Sequence, residues 1–129
     1  MSERHRLTVV IVEVTDLERS TALYRDGFGV ELHPGDNGVD DRWIGGVHSE
    51  ISWTEGAYFH FALYAAKDAP TTGVQITFSV PSIEAAHATA VAAGAEVVHE
   101  PRPEPWGPTA RYLDFDGNVV SLTEPQPRG

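Results

Sequence analysis

The sequence predicts an α+β fold made of one strand–helix–strands unit used twice, and three observations lead there. Val14-Thr-Asp-Leu-Glu18 and Val80-Pro-Ser-Ile-Glu84 match at an offset of 66 residues, each reading strand end, spacer, helix N-cap, aliphatic, glutamate. Each is followed by a helical stretch, a glycine and further strand, the mark of an internal duplication. The stretch Arg111–Glu124 closes the chain as strand, tight turn and strand, with Asp116-Gly117-Asn118 supplying residues that tolerate positive φ. Two such units, each sheet covered on one face by its helix, join into one curved sheet. Its uncovered concave face is left for ligand, water or a partner.

Residues 7–14 are rich in β-branched side chains and read as a strand, with Val10, Val12 and Val14 on one face and Val9, Ile11 and Glu13 on the other. Asp16 is the expected N-cap of a helix reaching about Gly27, with Glu18 in its first turn. Val30–His33 reads as a short strand, 34–41 as a loop rich in turn residues, and 42–53 as one strand or as two segments broken at Gly45-Gly46. In residues 58–64, Phe59, Phe61 and Leu63 alternate with Tyr58, His60, Ala62 and Tyr64. A polar connection with Pro70 leads to a strand over 74–80, whose Val74, Ile76, Phe78 and Val80 stand opposite Gln75, Thr77 and Ser79. Ser82 caps an alanine-rich helix that stops at Gly94. A strand over 96–99, a proline-rich loop over 100–108 and the final hairpin follow.

Composition narrows the function. At 129 residues the chain is expected to be one domain, with module 1 over about 6–65, module 2 over about 73–124 and a disordered tail over 125–129. With no cysteine, disulfides, cysteine catalysis and thiolate metal sites are excluded. The net charge of −10, from 19 acidic and 9 basic residues, disfavours nucleic acid and favours a cationic ligand. Neither a secretory leader nor a membrane span is read, so the expected location is cytoplasmic. No phosphate-binding glycine loop is present, and Asp116-Gly117-Asn118 lacks the other ligands of a calcium loop.

The opening Val-Glu-Val-Thr-Asp-Leu-Glu-Arg-Ser, the central Val-Gln-Ile-Thr-Phe-Ser-Val, and the closing Pro105-Trp106-Gly107 with Leu-Asp-Phe-Asp-Gly-Asn resemble the vicinal oxygen chelate superfamily. Glyoxalase I, extradiol dioxygenases and bleomycin resistance proteins belong to it, and the Pro-Trp-Gly sequence is most similar to the bleomycin resistance branch. The resemblance implies two tandem βαβββ modules forming a half-barrel with a concave cleft and helices on the outer face. It also implies a homodimer with clefts formed by both chains. At the positions where metal-dependent members carry ligands, this chain has Val9, Ala62, Gln75 and Ser121. Two of these have no donor atom, and no metal or other cofactor is expected.

The inward parities offer Glu13, Tyr58, His60, Tyr64, Gln75, Thr77 and Ser121 among apolar Val9, Ile11, Ala62 and Val119. Trp43, Trp53 and Trp106 stand in or beside loops, and Trp43 and Trp106 join the candidate ligand-binding set, because aromatic rims stack on planar or cationic groups. The leading expectation is a metal-free protein that sequesters an aromatic or cationic small molecule. One alternative is an enzyme, either with a displaced metal site or using His60 and Glu13 as acid–base groups. Another is a regulatory domain whose cup faces a protein.

Overall fold

The computed structural model describes residues 5–38 and 46–126. In order, the elements are β1 (Val9–Val14), α1 (Leu17–Ala22, continued by a wider π-helical turn Leu23–Gly27), β2 (His33–Asp36), β3 (Val47–Trp53), β4 (Phe59–Ala65), β5 (Gln75–Ser79), α2 (Ile83–Ala92), β6 (Glu96–Arg102), β7 (Thr109–Leu113) and β8 (Val119–Thr123). They form two four-stranded mixed sheets, β1-β4-β3-β2 and β5-β8-β7-β6, which are not closed into a barrel. In each sheet the first strand runs parallel to the last, and the remaining pairs are antiparallel. This is the βαβββ unit, twice.

Both helices start as the sequence reads. The Asp16 side chain accepts from the Arg19 amide at 3.0 Å, and Ser82 from the Ala85 amide at 3.3 Å. Each satisfies one of the free N–H groups of a first turn. Two strands differ from expectation. The first sheet's edge strand lies at His33–Asp36 instead of Val30–His33, so Pro34 sits inside it. Val30 and Leu32 are buried instead, as core anchors leading into the strand. An edge strand spares Pro34 the N–H it lacks. The strand read as ending at His99 continues to Arg102 through Pro101, again at a sheet edge and with register shifts on either side of His99.

One apolar core joins the modules. Val12, Val14, Phe61 and Leu63 from the first sheet pack in the same cluster as Ala110, Tyr112, Val120 and Leu122 from the second. Tyr24 lies at its centre, 5.8 Å from the Phe61 ring and 6.4 Å from Phe78, measured between centroids. The end of the first helix meets α2, with Gly27 lying against Ala93 and Ala90.

Polar ties join the modules at the last hairpin. The Tyr24 hydroxyl donates to Asp114 at 2.7 Å. Buried Asp114 also accepts from the amides of Asp116 and Asn118 and from the Asn118 side chain. Thr15 donates its amide and hydroxyl to Asp116. In this turn Gly117 alone takes positive φ, while Asn118 is fully buried and bonds Val74 N–H and Thr71 C=O. Burial first, and the Asp114 charge second, hold the Tyr24 phenol protonated far above its ordinary range. Burial pushes Tyr112 up to about 12.

Candidate functional site

Each sheet turns one face to the shared core and a polar face the other way. On the first sheet, register places three rows on the polar face. Glu13, Tyr64, His48 and Gly35 form one row; Ile11, Ala62, Glu50 and His33 the next; Val9, His60 and Ser52 the third. His48 is buried, and each of its ring nitrogens faces an acceptor: Nδ1 donates to the Gly46 carbonyl at 2.8 Å, and Nε2 contacts the Glu50 carboxylate. The Tyr64 ring stacks on His48 with centroids 4.4 Å apart and planes 18° apart. Burial, then the Glu50 charge, raises the Tyr64 phenol above its usual value, so the hydroxyl stays protonated. The Asn37 amide donates to that hydroxyl at 3.2 Å. His60 Nδ1 lies 2.7 Å from Ser52 Oγ, and its Nε2 lies 3.8 Å from Glu50 Oε1. The Tyr58 ring runs nearly parallel to His60, 6.5 Å away.

The fold therefore gathers Tyr58, His60 and Tyr64 around a carboxylate, and that carboxylate is Glu50. Glu13 stands opposite Tyr64, four residues along the strand from the register partner of His60, or about 13 Å at the usual strand rise. Glu50, on the strand paired with β4, therefore lies nearer to His60 than the expected Glu13 does. His48, Glu50 and Ser52 were missed because Gly45-Gly46 obscured where β3 begins. The period-2 pattern of Val47-His-Ser-Glu-Ile-Ser-Trp53 carries the signal, with apolar 47, 51 and 53 alternating with polar 48, 50 and 52. Gly35 belongs to the same cluster, since a Cβ there would lie 2.8 Å from His48 Nε2.

On the second sheet the polar face carries Gln75, Val119, Leu113 and Glu96 in one row and Thr77, Ser121, Arg111 and His99 in the next. Ser79, Thr123 and Thr109 make the third. Trp106 stands at that end, its indole N–H donating to Thr109 Oγ1 at 3.0 Å. Thr109 in turn bonds the Gly107 carbonyl and Thr123. Gly107 is required here, because a Cβ would fall 2.2 Å from the Glu124 carbonyl oxygen. The Pro-Trp-Gly segment is thus laid on the last strand, with the Trp106 ring half exposed beside the polar face. Trp43 lies outside the described residues.

Two crevices run between the modules. One, of about 500 Å³, is lined by Val10, Trp53, Phe59, Phe61 and strand β5. The other, of about 440 Å³, lies between residues 27–31, Ile51 and Trp53 on one side and residues 78–89 on the other. Trp53 borders both, so it belongs to the module junction.

The ligand positions of metal-dependent relatives do not fit an ion here. Val9 and Ala62 offer no donor, and Gln75 and Ser121 offer only neutral oxygens. Among the described residues, no three His, Cys, Asp or Glu side chains are grouped to hold a metal.

The family model of the Glyoxalase/Bleomycin resistance protein/Dioxygenase superfamily matches residues 6–122. The chain belongs to this superfamily. Among solved structures it is similar to a superfamily member from Sphaerobacter thermophilus, with 23% identity, TM-score 0.66, and 94% of this chain and 98% of that one covered. It is similar to TnmS3, an antibiotic binding protein from Streptomyces sp. CB03234, with 21% identity, TM-score 0.64, and 98% and 100% covered. TioX from Micromonospora sp. ML1 is 19% identical, with TM-score 0.63 and 95% and 100% covered. At such identities these likenesses establish the fold. A comparison with curated proteins gave no match. No helix among the described residues is long and apolar enough to cross a membrane.

Proposed function

We propose that this chain binds a small planar or cationic molecule and sequesters it without covalent change. The observation that carries this reading is the first sheet's polar face. There, the accessible, nearly parallel Tyr58 and His60 rings stand beside the Glu50 carboxylate, over a buried Tyr64–His48 pair that stacks on itself. Flat rings stack on a planar group, and a carboxylate among them attracts positive charge. Glu13 on the same face and the net charge of −10 act in the same sense. The resemblance to TnmS3, described as an antibiotic binding protein, agrees with the reading.

In this reading the ligand also meets Gln75, Thr77, Ser121 and Trp106 on the second-sheet polar face of the other copy in a homodimer. The protein works in the cytoplasm as a homodimer, which the exposed Leu7, Val9 and Tyr58 support as surface for a second copy. The reading is metal-free, and it is supported by Val9 and Ala62, which cannot ligate an ion at two of the positions where metal-dependent members carry ligands.

The test is titration of the full chain with cationic and planar compounds, glycopeptide antibiotics included, followed by tryptophan fluorescence. Saturable quenching by at least one is expected, and silence across the panel sinks the reading. Elemental analysis after exposure to nickel, zinc, manganese and iron is expected to find no retained ion, and near-stoichiometric retention overturns the metal-free part.

A second reading, an acid–base enzyme, is favoured by His60 held between Ser52 and Glu50. His60→Ala separates the two: loss of turnover with binding kept supports the enzyme, and an affinity change alone supports sequestration.

A further inference from the structure

The second sheet's polar face holds two buried nitrogen atoms without a hydrogen-bond partner, Arg111 Nε and His99 Nε2. Among the buried side-chain nitrogen and oxygen atoms of the described residues, these two alone lack one. They are neighbours by register: His99 stands opposite Arg111, Arg111 opposite Ser121, and Ser121 opposite Thr77. The alternate residues Ala110, Tyr112, Val120 and Leu122 are fully buried in the core, so the row faces the other way. His99 Nδ1 donates to the Glu100 carbonyl at 2.8 Å, which fixes the ring and commits Nε2 to this face.

A guanidinium carries donors only, and it needs acceptors when it is partly buried. Arg25 and Arg102 find theirs in Asp26 and Glu104. Arg111 has no ion pair among the described residues. The nearest acid on its face by register, Glu96, stands one row away, opposite Leu113.

We propose that the row Thr77–Ser121–Arg111–His99 is an oxyanion subsite that takes a carboxylate or phosphate group. Arg111 is the anchor and the Ser121 and Thr77 hydroxyls extend the contact; His99, whose Nδ1 already donates to the Glu100 carbonyl, adds a donor at Nε2 only in its imidazolium form. The half-exposed Trp106 ring lies one row beyond, so an aromatic acid meets both a cation and a stacking surface. The subsite deepens the ligand-binding reading and rests on it. In the proposed homodimer it adds an anionic group to a ligand whose cationic or planar part lies on the first-sheet face of the other copy.

The test follows the Arg111 Nε–H resonance of the nitrogen-15-labelled full chain during titration with benzoate, inorganic phosphate, benzamide and benzylamine. Benzoate or phosphate is expected to shift it saturably, and benzamide and benzylamine to leave it in place. A response to benzoate alone assigns a carboxylic acid; a response to phosphate alone assigns a phosphate ester or the free ion. Arg111→Gln is expected to weaken anion binding at least tenfold, Arg111→Lys less, and His99→Gln a few-fold. If Arg111→Gln does not fold, the wild-type resonance and Arg111→Lys still decide. An unmoved resonance with both anions, or equal affinity in a folded Arg111→Gln, overturns the subsite. If cationic or planar compounds then still quench tryptophan fluorescence, the subsite falls and the sequestration reading stands. If no compound of any charge binds, both fall.

Discussion

Two hairpins close the two modules, one between β3 and β4 and the other between β7 and β8. Each contains a glycine at positive φ, Gly56 in the first and Gly117 in the second. Thr54, Glu55 and Ala57 of the first are exposed, whereas Asp114 and Asn118 of the second are buried and hold five protein groups between them beyond their mutual bonds. The polar faces diverge in the same way. One gathers aromatic rings around Glu50, and the other aligns hydroxyls with Arg111. Duplication repeated the backbone, while the chemistry of each copy followed what lies across from it.

The largest test of that difference is to remove each turn's polar side chain. Asp114→Ala leaves several buried donors, the Tyr24 hydroxyl among them, without an acceptor and is expected to cost about 3 kcal/mol. Glu55→Ala is expected to stay within about 0.5 kcal/mol. Denaturant unfolding of both variants measures the contrast, and equal losses erase it.

Alkaline pH probes the core that the modules share. Tyr24 and Tyr112 titrate higher when folded than the ordinary value of 10.0. Between those values the unfolded chain has released protons that the folded chain keeps, so stability is intact below about pH 10 and falls above it. At pH 11 the loss is about 1.4 kcal/mol per tyrosine. Tyr112→Phe is expected to flatten the curve by one such increment, and a curve with unchanged slope contradicts its assignment.

On the first polar face, Glu50→Gln exchanges a charged acceptor of buried His48 for a neutral one. A loss of about 1–2 kcal/mol is expected, along with weaker binding of any cationic ligand, read by calorimetry. The smallest contrast is between the helix caps. Asp16→Ala is expected to cost about 1 kcal/mol and Ser82→Ala somewhat less, because Asp16 adds a negative charge at a helix N-terminus. Thermal unfolding resolves the order.

The faces of β1, β4, β5 and β8 were legible because side chains alternate strictly in strands and their apolar sets are unbroken. The displaced β2 was less so, since an edge strand tolerates the Pro34-Gly35 that reads as loop. The two modules were visible through their caps, sixty-six residues apart. The partner of His60 was not visible, because Glu50 reaches it across a strand pair and not along the chain. Arg111 was read as hairpin and nothing more. Its unmet donor exists only relative to β6 and β8, which no local pattern encodes.

The Asp114–Tyr24 bond has a consequence for how the chain comes to be. Ninety residues separate its two ends, and the Thr15–Asp116 contacts span 101. On the ribosome, the helix of the first module is made early, yet its central tyrosine has no acceptor until the last hairpin is synthesised. Such distant closure makes for slow, late completion. Until then the first module stands as an unfinished half, its aromatic core open to whatever arrives before residue 114.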